Sequence, residues 1–598
     1  EVCMRQCAKI TKLSLPELAE LIAITGIDPL ADDMEADEPS LMNFILTAQQ
    51  LKAHSLKVAD LSYILHHVDL TSKLTVDSKA QLRNVKILRE TLNNVEKENH
   101  IAPDNADYDF AKSKMLLVYD AGVTDYFFGL LLGTNSYGGS FVTGEESLPD
   151  KITNADSRLG FDPFKMELTY TGILSEAARD QLKNRADTLV LADMEIIASQ
   201  PELDAYISDF KTVVDQLCVT SNAALIRFGA SYPELKNIHD LVVAEPTPAL
   251  QTKRLTGMIL PELTARLKSN GLKQALISVL KSNSDTVNVL TAKKENIRSA
   301  ADATESVMYD FLQLENVPVF NENKTYNFYI DVPATDEYLL YVSAEQNTVV
   351  SLMIDEQPLI SNITMGNAKE IKNAFPVSLK TGELHKVAMT IASLPATETV
   401  QLSWRTKALE KSVIPAMAIS SEENVDFARE SLTRLSKASQ LQQLLGLTPD
   451  ELDYFASVNE ETSDLLNELD TDGSITSAEL KAIWGKIRLL VLFKQMKEEN
   501  EPEDNTWLQV LQTPDIKNNQ NQLLLEYFNL WNEADLTAVL QHFGLPRGDL
   551  SKLSLLQKVA DAMALLRNIH YPATDVLTLI TNNPSYDLVA WIKAMIKQ

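Results

Sequence analysis

From residue 1 to about 315, apolar side chains recur three and four positions apart, as in Leu51, Val58, Leu61, Ile64 and Leu65, with uninterrupted polar faces between them. That period predicts amphipathic helices, each burying one stripe. Between about 316 and 408 the period changes to two. Tyr326, Phe328 and Ile330 alternate with Asn327, Tyr329 and Asp331, and Val387, Met389 and Ile391 alternate with Ala388 and Thr390. Alternation puts successive side chains on opposite faces of a strand. Further strands are expected at Tyr338–Ser343, Thr348–Ile354, Phe375–Leu379 and Val400–Trp404, separated by turn segments such as Pro333–Asp336 and Lys380–Glu383. After Pro415 the helical period resumes to the end. The expectation is a mainly α chain in three blocks: helices over 1–315, an antiparallel β-sandwich inserted over 316–408, and helices again over 409–598.

Within the helical blocks one phrase recurs: an apolar helix end, a short Ser, Thr, Pro or Gly link, then a new helix with an acidic residue ahead of Leu or Val. It occurs at Leu13–Leu18, Ser55–Leu61, Leu447–Leu452, Leu545–Leu550 and Tyr571–Val576. Ser14 with Glu17 and Thr448 with Glu451 have capping-box spacing, and Pro449 falls where a first-turn proline is tolerated. A lone helical hairpin cannot bury its own apolar face, so repeated hairpins stack on one another. The irregular spacing of the copies predicts an irregular stacked helical-hairpin shell.

Composition narrows the class of function. The 598 residues exceed one compact core, and 45% hydrophobic with 23% charged residues is ordinary for a folded soluble chain. The net charge of −29 opposes phosphate-driven binding, which argues against nucleic acid and against adsorption to an anionic membrane. Apolar runs such as Tyr126–Leu132 and Ile487–Phe493 fall well short of the roughly 20 residues of a membrane helix, so no span is expected. The chain opens on Glu1 with no apolar signal segment and reads as a piece of a longer protein. Cys3, Cys7 and Cys218 match no zinc or redox framework, consistent with synthesis in a reducing cytosol.

No nucleophile elbow, zinc-binding histidine pair, phosphate-cradling glycine loop or CxxC pair occurs, and the reading is non-enzymatic, with no catalytic residue and no certain cofactor. His66 and His67 are adjacent and so diverge on a helix, unlike an i, i+4 metal pair. One stretch has metal-loop spacing. Residues 468–479 place Glu468, Asp470, Asp472 and Ser474 at the first, third, fifth and seventh positions of a twelve-residue EF-hand loop, Gly473 at the sixth and Glu479 at the twelfth. These hard oxygens are candidate Ca2+ ligands, although Glu468 stands where aspartate is usual. The same residues also read as an acidic loop capped by Thr476 and Glu479 at a helix start. Arg547-Gly548-Asp549 spells an integrin tripeptide but coincides with a helix start. Asn323-Lys324-Thr325 and Asn362-Ile363-Thr364 are glycosylation sequons by pattern. The aromatics Tyr326, Phe328, Tyr338, Tyr341 and Trp404 alternate as inter-sheet core residues do, or else face a sugar.

The stretches Lys114–Asp120 (KMLLVYD), Val123–Thr134 (VTDYFFGLLLGT) and Leu168–Ser175 (LTYTGILS) resemble the A component of bacterial insecticidal toxin complexes. Leu41–Leu65, with Leu51–Leu56 (LKAHSL) and Asp60–Tyr63 (DLSY), is similar to that family's helical shell. The β block resembles a protective-antigen-type sandwich through Ser351–Asp355, Pro376–Glu383 and Val400–Trp404. The resemblance implies a large secreted homopentamer whose shell and small β domains surround a translocation channel that injects a toxic partner into a host cell. It implies a host cell-surface receptor or glycan as partner of residues 316–408, and toxin-complex subunits engaged outside these residues. The family's channel helices and neuraminidase-like domain have no counterpart here. The alternative is a bacterial helical scaffold or adhesion protein with a carbohydrate-binding sandwich.

Overall fold

The computed structural model describes residues 2–31, 39–99, 107–144, 148–292, 311–500, 506–525 and 531–577. The stretches 293–310 and 578–598 of the expected helical blocks lie outside the described residues. The chain is mainly α with an inserted antiparallel β-sandwich. Its compact units differ from the three sequence blocks: residues 94–271 form one, and residues 1–93 with 272–598 form the other.

In the 94–271 unit, helices carry a small antiparallel sheet that the helical period did not reveal. Strands β1 (Ser136–Ser140), β2 (Leu159–Asp162) and β3 (Glu167–Thr171) pair in the order β1-β3-β2. They are too short for a clear alternation, and four of the five residues of β1 are glycine or serine. Gly139 is there for close approach, since a Cβ on it would lie 2.8 Å from Val213 Cγ1 of the Gln200–Ser231 helix. Phe141, Tyr170, Tyr206 and Phe210 fill the core between that sheet and helix. The Ala121–Leu132 helix starts on Asp120, whose carboxylate accepts from the Val123 N–H at 2.9 Å, and ends on Gly133 at φ 64°.

In the other unit the helix starts expected at Leu13–Leu18, Ser55–Leu61, Leu447–Leu452 and Tyr571–Val576 form, whereas Leu545–Leu550 leads into a 3-10 turn, Arg547–Ser551, ahead of the Leu553–Ile569 helix. Ser14 Oγ accepts from the Glu17 N–H at 3.3 Å while the Glu17 carboxylate accepts from the Ser14 N–H at 2.8 Å. Thr448 and Glu451 repeat the box, with Pro449 in the first turn. Glu451 is fully buried, and Lys497 reaches it at 2.7 Å. Leu18, Leu21, Phe44, Leu61 and Leu65 from before the sandwich share one core with Leu435, Leu441, Ile487, Phe493 and Trp507 from after it. The hairpins therefore do stack, and the chain leaves that stack and returns to it around the β insertion.

The sandwich has strands β4 (Thr325–Asp331), β5 (Asp336–Ser343), β6 (Val349–Ile354), β7 (Gln357–Thr364), β8 (Glu370–Lys372), β9 (Val377–Leu379), β10 (Leu384–Ala392), β11 (Gln401–Arg405), β12 (Ser412–Val413) and β13 (Ile419–Ser421). One sheet runs β13-β4-β10-β6-β7; the other runs β12-β11-β5-β8, with β9 also on β5. The sandwich extends past the expected boundary at 408, because Ile419 pairs with Ile330 across β13 and β4. Phe328, Tyr338, Leu352, Met389 and Trp404 lie between the sheets. Tyr329 and Leu384 instead belong to the helical core, so the end of one sheet is covered by helices on its outer face.

A buried arginine fixes that junction. Arg89, on the Ser78–Asn99 helix, is 2% exposed and donates to the carbonyls of Ala416 and Met417, both at 3.2 Å, and to that of Ile419. Burial lowers its pKa to about 10, so it stays charged at neutral pH. One turn earlier, Lys86 pairs with Asp331 of β4. Removing a buried charged donor strands its acceptors, so Arg89→Met is expected to destabilise the unit by about 2–4 kcal/mol in urea denaturation. Arg83→Ala, which removes an exposed pair with Glu383 at 3.6 Å, is expected to cost less than about 1 kcal/mol.

Candidate functional site: the sandwich surface and the acidic loop

The sandwich aromatics are core residues. Tyr326, Phe328, Tyr338, Tyr341 and Trp404 are all buried. The Tyr338 hydroxyl donates to Ala334 O at 2.7 Å, and its ring lies 5.9 Å from that of Trp404. Lys411 covers Tyr341 at 4.7 Å from the ring centroid, and Lys324 covers Tyr326 at 4.9 Å. None presents an open face for sugar stacking. The exposed apolar side chains of the sandwich include instead Phe375, between β8 and β9, Met353 and Ile363 on β6 and β7, and Val413 on β12.

A buried imidazole ties together two turns of this surface. Ile354 pairs with Gln357, which leaves Asp355 and Glu356 as a two-residue hairpin loop, both at positive φ (45° and 66°). Such a loop follows the right-handed twist of its strands but strains non-glycine residues. Asp355 is held on both oxygens: Oδ1 accepts from the Lys386 N–H at 3.0 Å, and Oδ2 takes His385 Nδ1 at 2.6 Å. His385 Nε2 lies 3.0 Å from Lys380 O in the next turn. Burial lowers the His385 pKa, but the Asp355 hydrogen bond and the Lys380 carbonyl outweigh it and the net shift is upward. Sequence reading did not single out His385. The signal was present, because Asp355-Glu356 sits between two alternating runs at hairpin spacing.

The 468–479 loop forms one wall of a cleft of about 960 Å3 whose other wall is the Glu422–Leu445 helix, with Asp426, Arg429 and Arg434 facing it. The five candidate calcium ligands divide into separate roles. Glu468 receives Lys486 Nζ on both oxygens at 2.8 Å. Glu479 closes a capping box, accepting from the Thr476 N–H at 2.9 Å while Thr476 Oγ1 accepts from the Glu479 N–H at 3.3 Å. Asp470 and Asp472 fold the loop on itself. Asp470 Oδ1 accepts from the Gly473 N–H at 3.1 Å, and Asp472 Oδ1 accepts from the Ser474 N–H at 2.9 Å. Gly473, at φ 83°, makes the turn between them. Among the described residues no three His, Cys, Asp or Glu side chains converge to hold a metal ion. As placed, the first and twelfth ligands are committed to a lysine and a helix cap.

Beneath the loop lies a buried cation. Lys437 is fully buried, donates to the Asp470 carbonyl and sits 5.0 Å from the Tyr63 ring centroid. Burial pulls its pKa down to about 8, with Asp470 and Asp472 opposing. His67 is held below its usual value first by burial and then by Lys437. His66 turns away to Glu20 at 3.0 Å, so the histidine pair shares no partner. Arg547-Gly548-Asp549 forms a short 3-10 turn, with Arg547 mostly buried beside Asp515 at 3.7 Å. Asn323 is tied on both amide atoms to Leu394, whereas Asn362 is exposed.

No protein-family model and no curated protein matches the chain. Among solved structures, an anti-sigma factor domain-containing protein from Clostridium clariflavum aligns at 27% identity over 16% of this chain and 32% of that one, with a TM-score of 0.14. A TM-score that low carries no argument about fold or function. Among the described residues no helix is long and apolar enough to cross a membrane.

Two outcomes follow from this geometry. Because the folded state raises the His385 pKa, its contribution is fully present below the unfolded value of about 6.5 and is lost as pH rises through the folded value. The sandwich should therefore resist urea better at pH 6 than at pH 8.5, with the difference reduced in Asp355→Asn. For the loop, Thr476→Ala is expected to cost about 1 kcal/mol through the lost cap, while millimolar Ca2+ leaves the thermal midpoint unchanged. A calcium-dependent rise in calorimetry would instead mean that Glu468 and Glu479 leave their present partners.

Proposed function

We propose that this chain is the non-enzymatic shell and cell-surface-binding portion of a toxin-translocating A subunit that delivers a toxic partner into host cells. On this reading it is made in the bacterial cytosol, acts outside the cell within a homo-oligomer, and meets a host receptor through the sandwich. The observation that supports this best is the Arg89 junction. A β domain riveted by buried charge onto a helical stack is suited to hold a receptor at a fixed position relative to the shell, which a tethered domain would not do. The burial of Tyr326, Tyr338, Tyr341 and Trp404 favours a protein surface over an aromatic-stacked glycan as the partner.

Cell binding tests the reading directly. A variant in which a short linker replaces residues 316–421 and Arg89 becomes Met, so that no buried charge is orphaned, should keep its helical circular dichroism and lose at least about tenfold in affinity for target cells. Unchanged cell binding by that variant removes the sandwich from receptor contact. Electron microscopy of the complete gene product should show a fivefold assembly with a central channel, and an elongated monomer would overturn the toxin-shell reading.

A further inference from the structure

The cleft between the 468–479 loop and the Glu422–Leu445 helix carries more negative charge than its own cations balance. Six carboxylates line it against two guanidiniums. Both arginines are engaged on the helix side. Arg429 donates to Gln81 Oε1 at 2.9 Å and to Asp426 at 3.2 Å, and Arg434 pairs with Glu430 at 2.8 Å. Two lysines stand close by. Lys486 is taken up by Glu468, and Lys437 lies beneath the loop on the Asp470 carbonyl and the Tyr63 ring. Even with both lysines included, carboxylates outnumber cations.

That excess falls on a buried atom. Asp470 lines the cleft yet is only 7% exposed. Its Oδ1 accepts from the Asp472 and Gly473 N–H groups at 3.3 and 3.1 Å, which accounts for the shape of the loop, but its Oδ2 has no hydrogen-bond partner. Asp472, whose carboxyl the Ser474 hydroxyl holds below the usual carboxylate range, also lies against the Asp470 carboxyl. A buried carboxylate oxygen without a donor is costly, and a second carboxylate beside it adds repulsion. A cation donating to Oδ2 from the cleft relieves both.

The donor set decides the class of cation. Ca2+ takes about six to eight oxygens around one point, whereas Glu468 and Glu479 are committed elsewhere and no three acidic or imidazole side chains converge among the described residues. An ammonium needs no such shell, because each of its N–H groups donates to a single acceptor. The acidic groups also stand on two walls, Asp470 and Asp472 on the loop and Asp426 on the helix, with the partly buried Ile475 among the lining side chains. Spaced charges joined by methylenes match that arrangement. We infer that the cleft binds a linear aliphatic polyamine, one ammonium donating to Asp470 Oδ2 and another reaching Asp426 on the opposite wall. The inference goes beyond the toxin-shell reading and does not depend on it.

Isothermal titration calorimetry of this chain with spermidine, at neutral pH and physiological salt, should show saturable one-to-one binding. Butylamine, with a single ammonium, and Ca2+ should each bind at least about tenfold more weakly. Asp470→Asn keeps the Oδ1 acceptor, places an amide where the anionic oxygen stood, and should weaken spermidine binding by about tenfold or more. Glu423→Gln removes an equal charge from an exposed position on the same helix outside the cleft and should change nothing. If Asp470→Asn alters the circular dichroism spectrum, Asp426→Asn decides instead, with a loss of about threefold or more expected. Heat that never saturates, full binding by the folded Asp470 variant, or butylamine or Ca2+ binding as tightly as spermidine would each overturn the inference. So would an equal loss in Glu423→Gln, which would reduce the effect to attraction by the net charge of −29.

Discussion

The structure around the β insertion depends on one buried guanidinium. Arg89 projects from a helix that precedes the sandwich by more than two hundred residues and satisfies three carbonyls in the segment that leaves it. Two of those carbonyls belong to the 3-10 turn Ala416–Ala418 between β12 and β13 and the third to Ile419 at the start of β13, and an unpaired buried carbonyl is costly. An arginine suits the position because its planar fork carries several donors in fixed geometry and keeps its charge even when burial lowers its pKa. Lys86, paired with Asp331 of β4, and Asn93, which donates to the Met417 carbonyl, extend the contact along the same helix. The sandwich is therefore held by its exit as well as by its entry, and Tyr329 and Leu384 can enter the helical core.

Elsewhere in this unit buried charge does similar work. Glu451 is fully enclosed, but its capping box and Lys497 satisfy it, so the turn after Gly446 is fixed at both the backbone and the next helix. Lys437 is enclosed under the acidic loop, with Tyr63 on one side and the Asp470 carbonyl on the other. Each of these groups comes from one helix and ends on the loop or cap of another. Apolar contact alone would let stacked hairpins slide, because hydrophobic burial is nearly indifferent to register. A buried ion whose partners lie in one place makes a slipped register costly, since slipping would leave the charge unpaired.

What sequence made legible follows the length of each pattern. The alternation over 326–330 and 387–391 spans whole strands, and both were readable, as were the capping boxes at Ser14 and Thr448, which rest on side chains three residues apart. The β1–β3 sheet was not. Its strands run to five residues at most, and Gly138 answers to Glu167 on β3 and Gly139 to Val213, both contacts far away in sequence. β13 escaped for the same reason, because three residues cannot display a period and its pairing partner Ile330 is remote. At the acidic loop the spacing of Glu468, Asp470, Asp472, Ser474 and Glu479 was plain, but spacing cannot say that Lys486, about two and a half turns into the following helix, would claim the first ligand. Arg89 left no trace at all, since an arginine in an amphipathic helix reads as a solvated one until its partners are known.

The sandwich then poses a question of where recognition can occur. Its inter-sheet space is filled by aromatics, so nothing can bind between the sheets without displacing a packed core. One end is occupied by helices and the Arg89 junction. What remains is the loop that carries Phe375, the His385-braced turns at Asp355 and Lys380, and the uncharged flank of β6 and β7. The His385 bridge has its sense in that setting. Two tight turns, one of them strained at both central residues, are cross-linked by a group that draws its stability from Asp355, so the surface beside Leu384 and Lys386, which reach the helices, keeps a defined shape. The fold thus concentrates buried polar contacts where the sandwich meets the helices, at the Arg89 junction and at the His385-braced turns beside it, and relies on apolar packing between the sheets.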